Sequence, residues 1–285
     1  MKHKKIFITG IAVFSAGLIA CFSSIAASGF SYSKLQSEYM ETSEYEITDN
    51  FKKIDLSNNE MNNIVFERSN SSKAKVVCTV RKNSQCDAKS ESDTLKISSK
   101  TEKKGWSFPF NFGPFSSDST EIKVYLPSES YDSLTVKSSW GNVNMPADFK
   151  FNAAKIETSS GNINWSAQIS TKAEAETSAG NIRFNNMTAE NLNLKTSAGN
   201  IELNNTVCKN SLEAETNMGN INFNHSDAKS INAESNMGNI RGTLLTGKQF
   251  STKTNMGSAK VPESTRDQKC ELVTNMGDID VSIAK

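Results

Sequence analysis

The sequence predicts an all-β protein, a parallel β-solenoid (β-helix) of about eight regular 19–20-residue rungs behind an N-terminal transmembrane helix. Three observations carry this. Gly141, Gly161, Gly180, Gly199, Gly219, Gly238, Gly257 and Gly277 recur at an almost constant spacing. Apolar residues alternate with polar ones on both sides of each glycine. A run of 22 uncharged, mostly apolar residues, Ile6 to Ala27, follows the basic start Met1-Lys2-His3-Lys4-Lys5. A fixed period of roughly 20 residues is the signature of stacked repeats, each too small to bury its own apolar face.

The first segment, residues 1–5, reads as a cytoplasmic basic tail, and 6–27 as a transmembrane helix or signal anchor. About 20 apolar residues at helical rise cross a bilayer core of roughly 30 Å. Lysines before the span keep the N-terminus inside and place the bulk of the chain outside. Two other fates stay open. Leu18-Ile19-Ala20-Cys21 resembles a lipobox, which would make Cys21 a lipidation site and the protein a lipoprotein. Small residues at Ser24-Ile25-Ala26 or Ile25-Ala26-Ala27 would support cleavage and secretion. All three put the remaining chain outside the cytoplasm.

Residues 28–47 read as a short stalk. Residues 48–130 read as an irregular β cap and first rungs: Lys53-Ile54-Asp55-Leu56, Asn63-Ile64-Val65-Phe66 and Ala74 to Val80 alternate, without the later period. Between them and the regular part, Trp106, Phe108, Phe110, Phe112 and Phe115 crowd one loop bounded by Gly and Pro. An apolar plug over the first rung is the preferred reading, since five exposed rings burden a monomer. A binding or membrane-touching loop is the alternative, so the five aromatics are a candidate contact surface.

Residues 131–285 are the regular repeats. With each glycine as zero, positions −7, −5, +2 and +4 are mostly apolar and point inward. Position −3 is Ser or Thr in all eight copies, and +1 is Asn except for Ser258 and Asp278. Glycine suits the tight corner, and Asn and Thr columns can hydrogen-bond along the stack. These residues are structural before they are functional. Position −1 reads Trp140, Ser160, Ala179, Ala198, Met218, Met237, Met256 and Met276. Strand parity carried from −7, −5 and −3 turns this column inward. If it faced outward, the four methionines would form an adaptable contact strip. The chain stops after the last repeat, so an uncapped C-terminal rung is expected to offer an edge for self-association.

Composition limits the chemistry. With Lys+Arg 32 against Asp+Glu 31, the net charge of +1 lacks the field that attracts nucleic acid. His3 and His225 are the only histidines and there is no Cys-x-x-Cys, so no metal site or cofactor is expected. Cys78 and Cys86 can face each other across a hairpin turn at Lys82-Asn83-Ser84; their pairing stays open. Cys208 falls in a loop register and Cys270 in a strand register three rungs away, too far apart to bridge. Outward acids such as Glu157, Glu202 and Glu234 occur singly, without the converging carboxylates a glycosidase needs.

The chain resembles the bacterial putative-adhesin family, a domain of unknown function frequent in Firmicutes. The resemblance rests on Gly29-Phe30-Ser31-Tyr32-Ser33-Lys34-Leu35, Tyr45-Glu46-Ile47, Val124-Tyr125-Leu126-Pro127, Tyr131-Asp132-Ser133-Leu134 and the repeated T-S-x-G-N-I. It covers nearly the whole chain and implies an N-terminal membrane segment, a β-solenoid and an envelope role. The expected function is a non-enzymatic, membrane-anchored binding, adhesin-like or scaffold module with an envelope or surface partner. The alternative is an accessory sensor or modulator of an envelope stress response; a polysaccharide-active enzyme is a remote third.

Overall fold

A computed structural model describes residues 40–101, 120–263 and 268–285. The β architecture is that of the unit Thr42–Lys285. The segment 6–27, Cys21 and the five clustered aromatics lie outside the described residues. Among the described residues no helix is long and apolar enough to cross a membrane.

The chain enters along β1 (Met40–Ile47) and makes β2 (Lys53–Met61) and β3 (Asn63–Arg68). A hairpin follows, β4 (Ala74–Arg81) and β5 (Ser84–Glu91), and then β6 (Thr94–Thr101) and β7 (Glu121–Leu126). From here long and short strands alternate: β8 (Ser130–Trp140), β9 (Val143–Met145), β10 (Lys150–Ser160), β11 (Ile163–Trp165), β12 (Gln168–Ala179) and β13 (Ile182–Asn185). β14 (Thr188–Ala198), β15 (Ile201–Asn204) and β16 (Val207–Met218) continue, and β17 (Ile221–Met237) serves as short and long strand in one. The last strands are β18 (Ile240–Leu244), β19 (Gln249–Met256), β20 (Ala259–Lys260), β21 (Lys269–Met276) and β22 (Ile279–Ile283).

Each repeat is therefore a long strand, a glycine corner and a short strand. Long strands pair in parallel with long, and short with short, so the molecule is a solenoid-like stack of two ladders. Inward positions fill one continuous core. Phe51, Tyr131 and Phe151 stack at 5.8 Å centroid spacing, and Phe151, Trp165 and Phe184 extend the column at 5.7 and 6.0 Å. Each such ring contributes on the order of 2–3 kcal/mol by leaving water.

The strands do not stack in chain order at either end. β2 lies between β6 and β8, and β3 between β7 and β9. The irregular β2–β3 pair is thus a repeat of the stack, with Asn62 at the corner. At the other end β21 inserts between β17 and β19, and β22 between β18 and β20. This corrects the expected free edge. The C-terminal strands are paired on both sides, and among the described residues the outermost strands are β19 and β20. The reason is apolar burial. Leu272, Ile279 and Val281 are fully buried, whereas the equivalent Thr252 and Ala259 of the outer repeat are exposed.

At the opposite end lies the β4–β5 hairpin, with β1 paired to β4. β4 runs antiparallel to β7 in one ladder and β5 antiparallel to β6 in the other. Cys78 and Cys86 form a disulfide across this hairpin. Cys208 is a buried residue of β16, not of a loop, and Cys270 is buried in β21, two strands along the same ladder; both thiols are free.

Candidate contact surface

The corner sets the surface. A Cβ placed on Gly199 would lie 1.9 Å from the carbonyl oxygen of Gly180, and one on Gly219 the same 1.9 Å from that of Gly199. Gly180 has φ +153°, but Gly219 is not held in a positive-φ conformation, so close approach rather than a positive dihedral is what all these corners share. The −3 hydroxyls complete the corner. Thr196 Oγ1 donates to Gly180 O at 3.0 Å and Thr216 Oγ1 to Gly199 O at 2.9 Å. From Thr177 onward the −3 hydroxyls thus bond to neighbouring glycine carbonyls rather than to each other, whereas Thr158 Oγ1 is buried without a partner. The +1 asparagines form the expected ladder: Asn181 N donates to Asn162 Oδ1 at 2.8 Å, and Asn200 N to Asn181 Oδ1 at 2.8 Å.

Thr is drawn inward at −3, and although the strands run on to −1, alternation ends after −3. Positions −2 and −1 both face solvent. The inward expectation for the −1 column is therefore corrected: Met218 is 52% exposed, Met237 41%, Met276 43% and Met256 63%. Strand register places these four side by side in that order. At about 4.8 Å per strand they make a ridge roughly 15 Å long. Ala198, Ala179 and Ser160 continue the column, and Trp140 and Met61, 52% and 56% exposed, end it. Beside the methionines, Asn217, Asn236, Asn275 and Asn255 fill position −2. The ridge and its −2 neighbours carry no charge.

Most charged residues lie on the flanking faces, and many are paired. Lys195 Nζ meets Glu215 Oε2 at 2.9 Å, Arg183 Nε meets Glu202 Oε2 at 2.7 Å and Lys155 Nζ meets Glu157 Oε1 at 2.7 Å. The acids are not all single, however. Glu157 is the register partner of Glu176, and Glu215 of Glu234, on open faces interleaved with lysine. A shallow groove of about 500 Å³ is lined by Glu67, Arg68, Asn144, Asp148, Asn164 and Ser166 among others, with no histidine or cysteine. Among the described residues no three His, Cys, Asp or Glu side chains group to hold a metal ion. His225 Nδ1 contacts Asn224 Oδ1 at 2.9 Å on the surface.

One polar cluster escaped the sequence. Lys248 is fully buried, with Nζ 2.5 Å from Asp227 Oδ1. It also donates to Ala228 O at 2.7 Å, to Thr246 Oγ1 at 2.8 Å and to Gln268 Oε1. Thr246 Oγ1 donates to Asp227 Oδ2 at 2.7 Å. Lys248 immediately precedes β19 and Gln268 immediately precedes β21, so the cluster clasps the point where the stacking order inverts. Position −9 is polar in every repeat, which left Lys248 without a distinguishing signal. Burial alone pushes the Cys208 thiol up to about 12, and burial chiefly does the same for Cys270.

The family model Toastrack DUF4097 matches residues 51–210 and 170–285. No curated protein matches the chain. A solved structure of a putative adhesin from Bacteroides fragilis is 18% identical, with 86% of this chain and 98% of that one covered and a TM-score of 0.54. A putative lipid binding protein from Parabacteroides distasonis is 17% identical over 87% of this chain and 97% of its own, with a TM-score of 0.48. A putative adhesin from the same organism is 14% identical over 85% and 96%, with a TM-score of 0.44.

Proposed function

The chain belongs to the Toastrack DUF4097 family, and from that premise we propose that it is a non-enzymatic contact or scaffold module of the cell surface. Residues 6–27 anchor it in the membrane, and the stack stands outside. The single observation that carries the reading is the uncharged ridge Met218–Met237–Met276–Met256. Exposed methionines are costly to leave in water and adapt readily to a partner's surface. The fold of the Bacteroides fragilis protein, described as a putative adhesin, agrees with this reading. The stack presents a long, rigid corner, and one partner or several can be held along it.

The test is photo-crosslinking in intact cells, with a benzophenone amino acid in place of Met237 and, as control, of Lys172, exposed and far along β12 from the corner. Adducts are expected from position 237 well above those from position 172. Equal, background-level yields at both positions would remove the ridge as a contact surface.

A further inference from the structure

We infer that the partner of this corner is a second copy of the chain, paired antiparallel about a two-fold axis; this rests on the corner being a contact surface. The −1 column has two unequal halves. Met218, Met237, Met276 and Met256 are bulky, and Ala198, Ala179 and Ser160 are small. The −2 column divides at the same place: Ser159, Ser178 and Ser197 precede Asn217, Asn236 and Asn275. All face outward at the corner.

A two-fold axis between the Ala198 and Met218 strands brings opposite halves together. Ala198 of one copy then faces Met218 of the other, Ala179 faces Met237, and Ser160 faces Met276. The same step sets Trp140 against Met256, a sulfur–aromatic contact. In the −2 column each serine meets an asparagine, small against large and hydroxyl against amide. A closed two-fold interface demands such self-complementarity, and close packing rewards it. The parallel alternative sets methionine on methionine and leaves a gap over Ala179.

Charge confines the contact to these columns. Neither column carries a charged side chain, so no ion is desolvated. Near the axis Lys195 of one copy lies towards Glu215 of the other. Further along, Glu176 would oppose Glu234, which rules out packing the sheet faces together. Eight residues in each of two columns, Trp140 to Met256 and Ser139 to Asn255, give sixteen side chains per copy. This is below the roughly 20–30 of a stable interface. The dimer is accordingly weak and concentration-dependent, and a shared membrane would favour it.

The experiment uses the full-length chain in detergent micelles with Cys21→Ser as background; Cys208 and Cys270 are buried and Cys78 and Cys86 are bonded. Ala179→Cys with Met237→Cys is oxidised at high protein concentration and run without reductant. A disulfide-linked dimer is expected, and Met237→Cys alone should give little. In the antiparallel pair the two 237 positions lie three strands, roughly 14 Å, apart, beyond disulfide reach. Dimer from Met237→Cys alone, or none from the double variant, overturns the proposal. Ala179→Arg, at an exposed position, should shift the unoxidised protein to monomer in sedimentation; an unchanged dimer also overturns it. If position 237 crosslinks in cells only to a different protein, the two-fold pairing fails while the contact surface stands. If it crosslinks to nothing, both fail.

Discussion

Met237 is the register partner of Met276, not of Met256, the next methionine of its column in the sequence. Between them the chain runs out to the edge of the stack along β19 and β20 and returns through β21. The result is one unbroken ridge of methionines, and the repeat with the poorest apolar face is left outermost. That outer repeat carries Lys253 on β19 and Lys260 on β20, and Pro262 follows. Charge and proline are ordinary means of discouraging edge pairing. Ser258 N and Oγ donate to Asp278 Oδ1 at 2.9 and 3.0 Å, so the ladder runs on to the outermost repeat.

The glycine corners are expected to be intolerant of any side chain. A methyl group on Gly199 would meet the backbone carbonyl of Gly180 at 1.9 Å, and backbone cannot step aside as a side chain can. Gly199→Ala should cost roughly 3–5 kcal/mol, at the upper end for a single substitution. Ser197→Ala, close by in the chain and exposed, should stay within about 0.5 kcal/mol. Urea unfolding of the two variants beside the parent measures both.

Lys248 and Asp227 should behave as one unit. Lys248→Ala strands a buried carboxylate and is expected to destabilise by about 3–5 kcal/mol. Asp227→Leu combined with Lys248→Met removes both charges and should recover most of that loss. A double-mutant cycle by chemical unfolding gives the coupling. A double variant as unstable as Lys248→Ala would show that the lost charge is not the cause.

Alkaline pH should weaken the fold through its buried thiols. Cys208 and Cys270 are pushed up to about 12 by burial, so the native state keeps protons that the unfolded chain releases at about pH 8.5. Their contribution is complete below about pH 8.5 and is lost as pH climbs from there towards about 12. The fall is on the order of 1 kcal/mol per pH unit for each thiol. Melting temperatures between pH 8 and pH 10.5 should therefore drop more steeply for the parent than for Cys208→Ala with Cys270→Ala. The native thiols should also resist alkylation at pH 8 and react once the chain is unfolded.

Much of a single repeat was legible from local pattern. Alternation at −7 and −5 and at +2 and +4 identifies the buried faces, because strand side chains alternate with a period of two. The Asn column at +1 announces its ladder. The −1 column misled, because alternation lapses after −3 while the strand itself runs on to −1. Thr196 and its equivalents bond across the corner at −3, and both residues after it face solvent. The repeat formed by β2 and β3 was hidden because Asn62 stands where the others have glycine. Its place is visible only in register, where Asn63 Oδ1 accepts from Asn142 N at 2.9 Å.

The sequence by itself determined the kind of repeat, its length and its inward faces, since these depend on neighbours within a single repeat. The order of stacking was decided only in three dimensions. Near-identical repeats can stack on one another in many orders with almost the same backbone bonds, so the period does not choose among them. The choice falls to differences that matter only once strands meet. Leu272, Ile279 and Val281 are buried inside, Thr252 and Ala259 lose little outside, and Lys248 reaches across β21 to Asp227. Each of these terms acts between residues far apart in the chain, beyond the reach of any local pattern.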